Sequence, residues 1–207
     1  LHSRRFGDVV RLEVERSVRK AMIGELGEKL GVNGRDVYRI SGLLDLTCLW
    51  QLIDSSRHNL LASVWEPRIH PRLRRDDGDS DVFAAIRQED VFVHHPYDDF
   101  LTSVARFIDQ AAADDDVVAI KQTIYRTSGD TPIIPALMRA AEKGKAVVCL
   151  VELQARFDEQ RNIQWARELE RVGVHVVYGQ AGRKTHAKLA LVVRREGRRM
   201  RRYAHIG

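Results

Sequence analysis

The sequence predicts an α/β fold whose larger part rests on a largely parallel sheet, and three observations carry that expectation. From residue 97 onward, apolar runs of strand length alternate with amphipathic stretches of helical length. The runs are continuously apolar rather than alternating, the pattern of strands covered on both faces. Gly144 and Gly173 stand where two of the helical patterns stop, as helix-ending glycines do. With 207 residues and 44% apolar content, the chain has room for one large domain or two small ones with a genuine core.

Taken in order, residues 6–15 place Val10, Leu12 and Val14 on one side of a strand. Ser17 is then positioned to cap a helix whose Val18, Met22, Leu26 and Leu30 share a face, and which ends at Gly31 and Gly34. Residues 36–40 read as a short strand. Residues 43–53 read as a second amphipathic helix with Leu46, Leu49, Trp50 and Ile53 facing inward, completing a β-α-β-α block. Residues 66–81 are rich in proline, glycine and charge, as linkers are. The expected domains are therefore 1–72, a linker at 73–81, and 82–207. Within the last, helices are expected at 97–113, 132–143 and 162–172, and strands at 117–125, 146–153, 174–178 and 185–194. The first residue is Leu1, and the final stretch from Arg202 to Gly207 reads as a strand without a following turn, so both ends are expected to be truncations.

No apolar run approaches the roughly 18 residues of a membrane-spanning helix, and the charged beginning is unlike a secretory signal. Cys48 and Cys149 stand singly in apolar runs without metal-clip spacing, which suits thiols in a reducing compartment and a cytoplasmic location. The formal net charge is +5, but Arg183 to Arg202 holds nine Lys or Arg against the single Glu196. Such a run attracts polyanions: nucleic acid, an acidic membrane surface at its periphery, or free phosphate chains. A solvated arginine-rich hairpin is the plainer alternative.

The strongest chemical feature is Lys184-Thr185-His186-Ala187-Lys188, leading into the apolar run 189–193. Side chains alternate on a strand, so His186 and Lys188 project to one face. A histidine is a competent covalent nucleophile, and a neighbouring ammonium can neutralise the oxygens of a phosphoryl group as the imidazole attacks. A partly buried strand histidine bonded to a carbonyl is the other reading of such a triplet. The adjacent His94 and His95 would point to opposite faces of a strand, with no carboxylate or thiolate at ligand spacing, so a structural role is expected of them.

His186-x-Lys188 opening a strand after a β-α-β-α-β series resembles the phospholipase D superfamily, although the aspartate that superfamily carries five residues after the lysine is Val193 here. Four ordered segments narrow the resemblance: Ala119 to Thr127 (AIKQTIYRT), Val151 to Glu159 (VELQARFDE), Asn162-Ile163-x-Trp165-Ala166, and Lys184-Thr185-His186-x-Lys188. Together they resemble the catalytic core of the polyphosphate kinase family. The resemblance covers nearly the whole chain. It implies a phospholipase-D-like β-α-β sandwich half over 82–207, preceded by the C-terminal part of an α/β head domain.

It further implies reversible transfer of the terminal phosphate of ATP to polyphosphate through a phosphohistidine at His186, with Lys188 fixing the phosphorylated ring. Arg126 and Arg156 match the family's magnesium-phosphate arginines. A guanidinium has no lone pair for a cation, so they are expected to hold phosphate oxygens that in turn hold Mg²⁺. Lys184 joins them in phosphate binding, and the arginine-rich tail helps hold the polyanion. Lys121, Glu152 and Asp158 are weaker candidates. Expected partners are ATP or ADP and inorganic polyphosphate, with no specific nucleic acid and with a homo-oligomer for the full-length protein. The family's second catalytic half lies beyond Gly207, so the fragment alone is expected to be inactive. The rivals are a phosphodiesterase or nuclease of the same superfamily and a non-catalytic polyanion-binding module.

Overall fold

A computed structural model describes residues 7–53, 58–74, 81–125, 131–155, 158–179 and 182–207. The chain divides into two compact units, Leu1–Val64 and Trp65–Gly207.

In the first unit, strands β1 (Leu12–Glu15) and β2 (Val37–Ile40) pair in parallel, with helix α1 (Lys20–Leu30) between them in the chain. Gly31, at φ 66°, ends α1 by returning its N–H to the carbonyls of Glu28 and Gly27, a conformation that costs glycine nothing. The N-cap is Arg19 and not Ser17. Arg16 N–H still bonds Ile40 and Val18 N–H bonds Glu15, so Ser17 belongs to the turn leaving β1. The expected helix over 43–53 is a 3₁₀ segment, Leu46–Leu52, started by the Asp45 carboxylate, which accepts from the Thr47 N–H and hydroxyl. Its apolar residues face outward, Leu46 at 66% and Trp50 at 70% exposure. Apolar periodicity buries a face only where another element packs on it, and no described residue covers this one.

In the second unit, residues 65–74 are packed rather than linker-like. The Trp65 indole N–H donates to the Pro96 carbonyl (3.2 Å), Arg68 exchanges backbone bonds with Tyr97 and Asp99, and Leu73 is buried in the core. Residues 75–80 of the expected linker lie outside the described residues. Asp81 then caps helix α2 (Val82–Gln88), accepting from the Ala84 N–H (3.0 Å) and the Gln110 amide (2.9 Å). Seven residues are too few for periodicity to reveal this helix. The helix expected from 97 begins only at Leu101, as a π-helical turn that continues as α3 (Arg106–Ala113). Residues 98 and 99 are engaged elsewhere: Asp98 bridges Arg68, and Asp99 caps the Thr102 N–H (2.6 Å).

The remaining elements are β3 (Val117–Ile124), α4 (Ile133–Glu142), β4 (Ala146–Val151), α5 (Glu159–Arg171), β5 (His175–Tyr178), β6 (Leu189–Glu196) and β7 (Arg199–Ile206). They form a sheet of order β5-β4-β3-β6-β7 in which β3, β4 and β5 are parallel and β6 and β7 antiparallel. Ile120, Ile124, Val147, Cys149, Val151, Ala190 and Val192 point to one face and form a single core with Phe83, Ile108, Leu137 and Leu169 from the helices. Burial has pushed the Cys149 thiol up to about 12, making it an inert core residue.

The sheet is therefore covered on one face among the described residues, not on two as expected. Right-handed crossovers that step in one direction, β3 to β4 to β5, leave α4 and α5 on the same side, and the β6–β7 hairpin adds strands without a helix. On the opposite face, strand residues alone, among them Lys121, Val148, Leu150, Leu189, Leu191 and Ile206, line a depression of about 410 Å³.

Candidate active site

The C-terminal ends of β3, β4 and β5 and the beginning of β6 meet at one end of the sheet, the end at which open α/β sheets place ligands. Tyr125 follows β3, Glu152 follows β4, Gly179 follows β5, and His186 and Lys188 precede β6. The strand expected from 185 starts at Leu189. Its lead-in is extended and is held by a side chain: Thr123 Oγ1 donates to the Ala187 carbonyl (2.7 Å) and accepts from the Leu189 N–H (2.8 Å). This hydroxyl continues the β3–β6 ladder by one step beyond the Gln122–Ala190 pair. On the other side, Lys188 and Gly207 exchange two backbone bonds, N–H of Gly207 to O of Lys188 at 2.9 Å being the shorter.

A second anchor is a buried carboxylate. Glu152 is 3% exposed; its Oε1 accepts from the Gln154 N–H (2.8 Å) and its Oε2 from the Thr185 N–H (2.7 Å). One residue thus ties the loop after β4 to the residue before His186. Asn162, fully buried in the first turns of α5, donates from Nδ2 to the carbonyls of Tyr125 and Glu152, both at 2.8 Å. The ends of β3 and β4 are thereby fixed to each other and to α5.

On this frame His186 is exposed, with the Tyr125 ring meeting it edge to face at 4.6 Å. The Lys188 ammonium lies 3.2 Å from each imidazole nitrogen, donates to the His186 carbonyl (2.6 Å), and sits 4.5 Å from the Tyr125 ring centroid. Lys184 approaches the same ring at 5.4 Å. The three residues of the Lys-Thr-His-Ala-Lys segment expected to meet phosphate are therefore gathered around one aromatic ring. A neutral imidazole has one lone pair available for attack, and an ammonium group beside such a ring is able to neutralise phosphoryl oxygens.

Arg126 and Arg156, expected to bind phosphate and magnesium, lie outside the described residues. Lys121, one of the weaker candidates, is exposed on the helix-free face of the sheet. Among the described residues no three His, Cys, Asp or Glu side chains converge as metal ligands. They do not make a protein-held Mg²⁺ site, and a cluster of ammonium groups suits phosphate oxygens instead. His94 and His95 serve a turn: the His94 N–H donates to the Asp98 carboxylate (2.7 Å), and His95 Nδ1 lies 2.9 Å from the Asp98 carbonyl.

Sequence reasoning set Glu152 aside and assigned no role to Thr123, Tyr125 or Asn162. All four lie within or beside the quoted segments, so the signal was their presence there. Apart from the Gln154 N–H, two residues from Glu152, their partners are 10 to 66 positions away along the chain.

The basic run is split by the fold. Arg194 is paired with Asp114 (2.7 Å) and Asp116 (3.4 Å), and Glu196 gathers Arg87, Arg194, Arg201 and the Tyr203 hydroxyl. The lysines of the His186 segment and the arginines of the hairpin stand at opposite ends of β6.

Comparison with known proteins adds a family to this geometry. Residues 81–207 match the model of the polyphosphate kinase C-terminal domain 1, and residues 1–52 match that of the polyphosphate kinase middle domain. The whole chain is 56% identical to a polyphosphate kinase of Mycolicibacterium paratuberculosis and 55% identical to one of Mycobacterium leprae. It spans 28% of the length of each of these curated relatives. The crystal structure of polyphosphate kinase from Porphyromonas gingivalis superposes with a TM-score of 0.68 at 27% identity, over 94% of this chain and 29% of that one.

Proposed function

The chain belongs to the polyphosphate kinase family, and from that premise we propose that it carries the phosphoryl-accepting histidine of an ATP:polyphosphate phosphotransferase. The observation that carries the proposal is the Lys188 ammonium 3.2 Å from both ring nitrogens of His186, the pair braced by Tyr125.

In the forward direction an imidazole nitrogen of His186 attacks the terminal phosphorus of ATP. An N–P bond forms, the bridging P–O bond breaks, and ADP leaves with the electron pair. A terminal oxygen of the polyphosphate chain then attacks the phosphohistidine, forming a P–O bond and releasing the imidazole. Lys188 and Lys184 offset the charge on the phosphoryl oxygens, stabilisation that matters most where charge is concentrated during transfer. Arg126 and Arg156 hold further phosphate oxygens through their planar donor forks. Mg²⁺ would supply further charge neutralisation at the nucleotide phosphates, with Arg126 and Arg156 holding the phosphate oxygens. The two family models, meeting the chain at 1–52 and 81–207, support reading the first unit as the end of a head domain and 82–207 as a first phospholipase-D-like half, while residues 65–72, expected in the head domain, belong to the second unit. The same reading takes ATP, ADP and inorganic polyphosphate as substrates of a cytoplasmic, homo-oligomeric full-length protein.

The test is labelling of the full-length protein by ATP carrying a radioactive terminal phosphate. Acid-labile, base-stable label that disappears in His186→Ala is expected. A folded, ATP-binding protein that takes no label, or a variant that keeps it, overturns the proposal.

A further inference from the structure

At the end of β6 opposite to His186, the hairpin presents four arginines whose charge the fold leaves unmatched. Glu196 and Arg199 face each other across a two-residue turn, Gly197 and Arg198, with Gly197 at φ 58°. Arg194 and Arg201 are consumed by the ion pairs around Glu196 and Asp114. Arg195, Arg198, Arg199 and Arg202 are all exposed and pair with no carboxylate among the described residues.

The support beneath them is firm: Arg195 N–H bonds the Asp116 carbonyl (2.8 Å), Arg194 is locked to Asp114, and Tyr203 is buried against Phe83. Four exposed arginines on a braced two-stranded tip concentrate positive charge, Arg195 and Arg202 on the sheet face of Val193 and Arg199 on that of Glu196, and their donor forks are matched to phosphate. Residues 194–202 include no aromatic side chain, and Tyr203 is buried. The tip therefore lacks the stacking surface that favours single-stranded nucleic acid, and its guanidinium groups suit a polyanion contacted through phosphate alone.

We propose that this tip is a second contact for inorganic polyphosphate, remote from His186, that favours long chains over short ones. The eight residues of β6 separate the two ends by about 25 Å at a strand's rise per residue. A chain whose terminal phosphate is at His186 reaches the tip only if it spans that distance, and a linked second contact then raises its affinity without any change at the reacting end. The inference rests on polyphosphate being the substrate at His186, and it adds where along the chain the protein takes hold.

The experiment compares the full-length protein with its Arg195→Gln/Arg198→Gln/Arg199→Gln/Arg202→Gln variant in ATP synthesis from ADP and size-fractionated polyphosphate. For chains longer than the span, KM is expected to rise about tenfold, the combined effect of four exposed charge contacts, with a steeper salt dependence in the parent than in the variant. For chains shorter than the span KM stays unchanged, and labelling of His186 by ATP persists. An equal KM change at every length, or none at any length, overturns the proposal. So does a variant that loses affinity for oligo(dT) while keeping the parent's length dependence, since the tip would then be a nucleic-acid contact. If the parent takes no label, the transfer mechanism fails separately, and direct binding of the long and short fractions to parent and variant still tests the tip.

Discussion

Replacing Glu152 by Gln tests whether one buried side chain positions the histidine segment. The carboxylate accepts the Gln154 and Thr185 N–H groups with its two separate oxygens. Glutamine keeps the volume but offers only one acceptor; its amide N–H₂ must face one of the two N–H donors. One charge-assisted bond, worth about 1.5–3 kcal/mol, is lost, and a buried N–H is left facing another donor. The expected destabilisation is therefore about 2–3 kcal/mol. For a unit of this size that lowers Tm by roughly 4–12 °C. The sharper assay is amide hydrogen exchange. If Gln keeps its acceptor on the Gln154 side, the Thr185 amide loses protection while amides in the centre of β3 and β4 change only as much as global stability does. His186 labelling falls with it, and more through kcat than through the KM for ATP, because the ring and not the nucleotide is displaced. If Thr185 and Gln154 both keep their protection and Tm is unchanged, the anchoring role is refuted. If Tm falls but labelling per folded molecule is unaltered, Glu152 supports the fold and does not position His186.

Thr123→Val, nearly isosteric, removes the hydroxyl that bonds both the Ala187 carbonyl and the Leu189 N–H. A loss of about 1–3 kcal/mol is expected from the two unmade bonds, read as faster exchange of the Leu189 amide with little change at Ala190, whose strand pairing to Gln122 remains. Tyr203 supplies a pH dependence. Burial, followed by its hydrogen bond to Glu196 and that residue's charge, raises the phenol from its ordinary 10.0 to about 12. The folded protein thus keeps a proton that the unfolded chain gives up. This contribution is complete below about pH 10 and is lost as pH rises through about 12. Tyr203→Phe should flatten that alkaline decline in chemical denaturation; an unchanged slope between pH 10 and 12 counts against the Tyr203–Glu196 bond.

The sequence by itself determined the α/β class, the parallel β3-β4-β5 series with its intervening helices, the glycine stops at Gly31, Gly144 and Gly173, and the His-x-Lys segment with its family. These are local properties. Apolar period, helix-ending glycines and motif order are each written within a short stretch of chain. Tertiary structure decided what depends on partners distant in sequence. It turned the apolar face of Leu46–Leu52 outward because nothing described packs on it, and put the helices on one side of the sheet because the crossovers share one hand and one direction. It sorted eight of the nine like charges into lysines beside the Tyr125 ring (Lys184, Lys188), internally paired arginines (Arg194, Arg201) and an exposed hairpin tip, a division fixed by where Asp114, Asp116 and Glu196 fall. Above all, it made Thr123, Glu152 and Asn162 into the frame of His186, since a hydrogen bond between residues 10 to 66 apart exists only after the strands that carry them have paired.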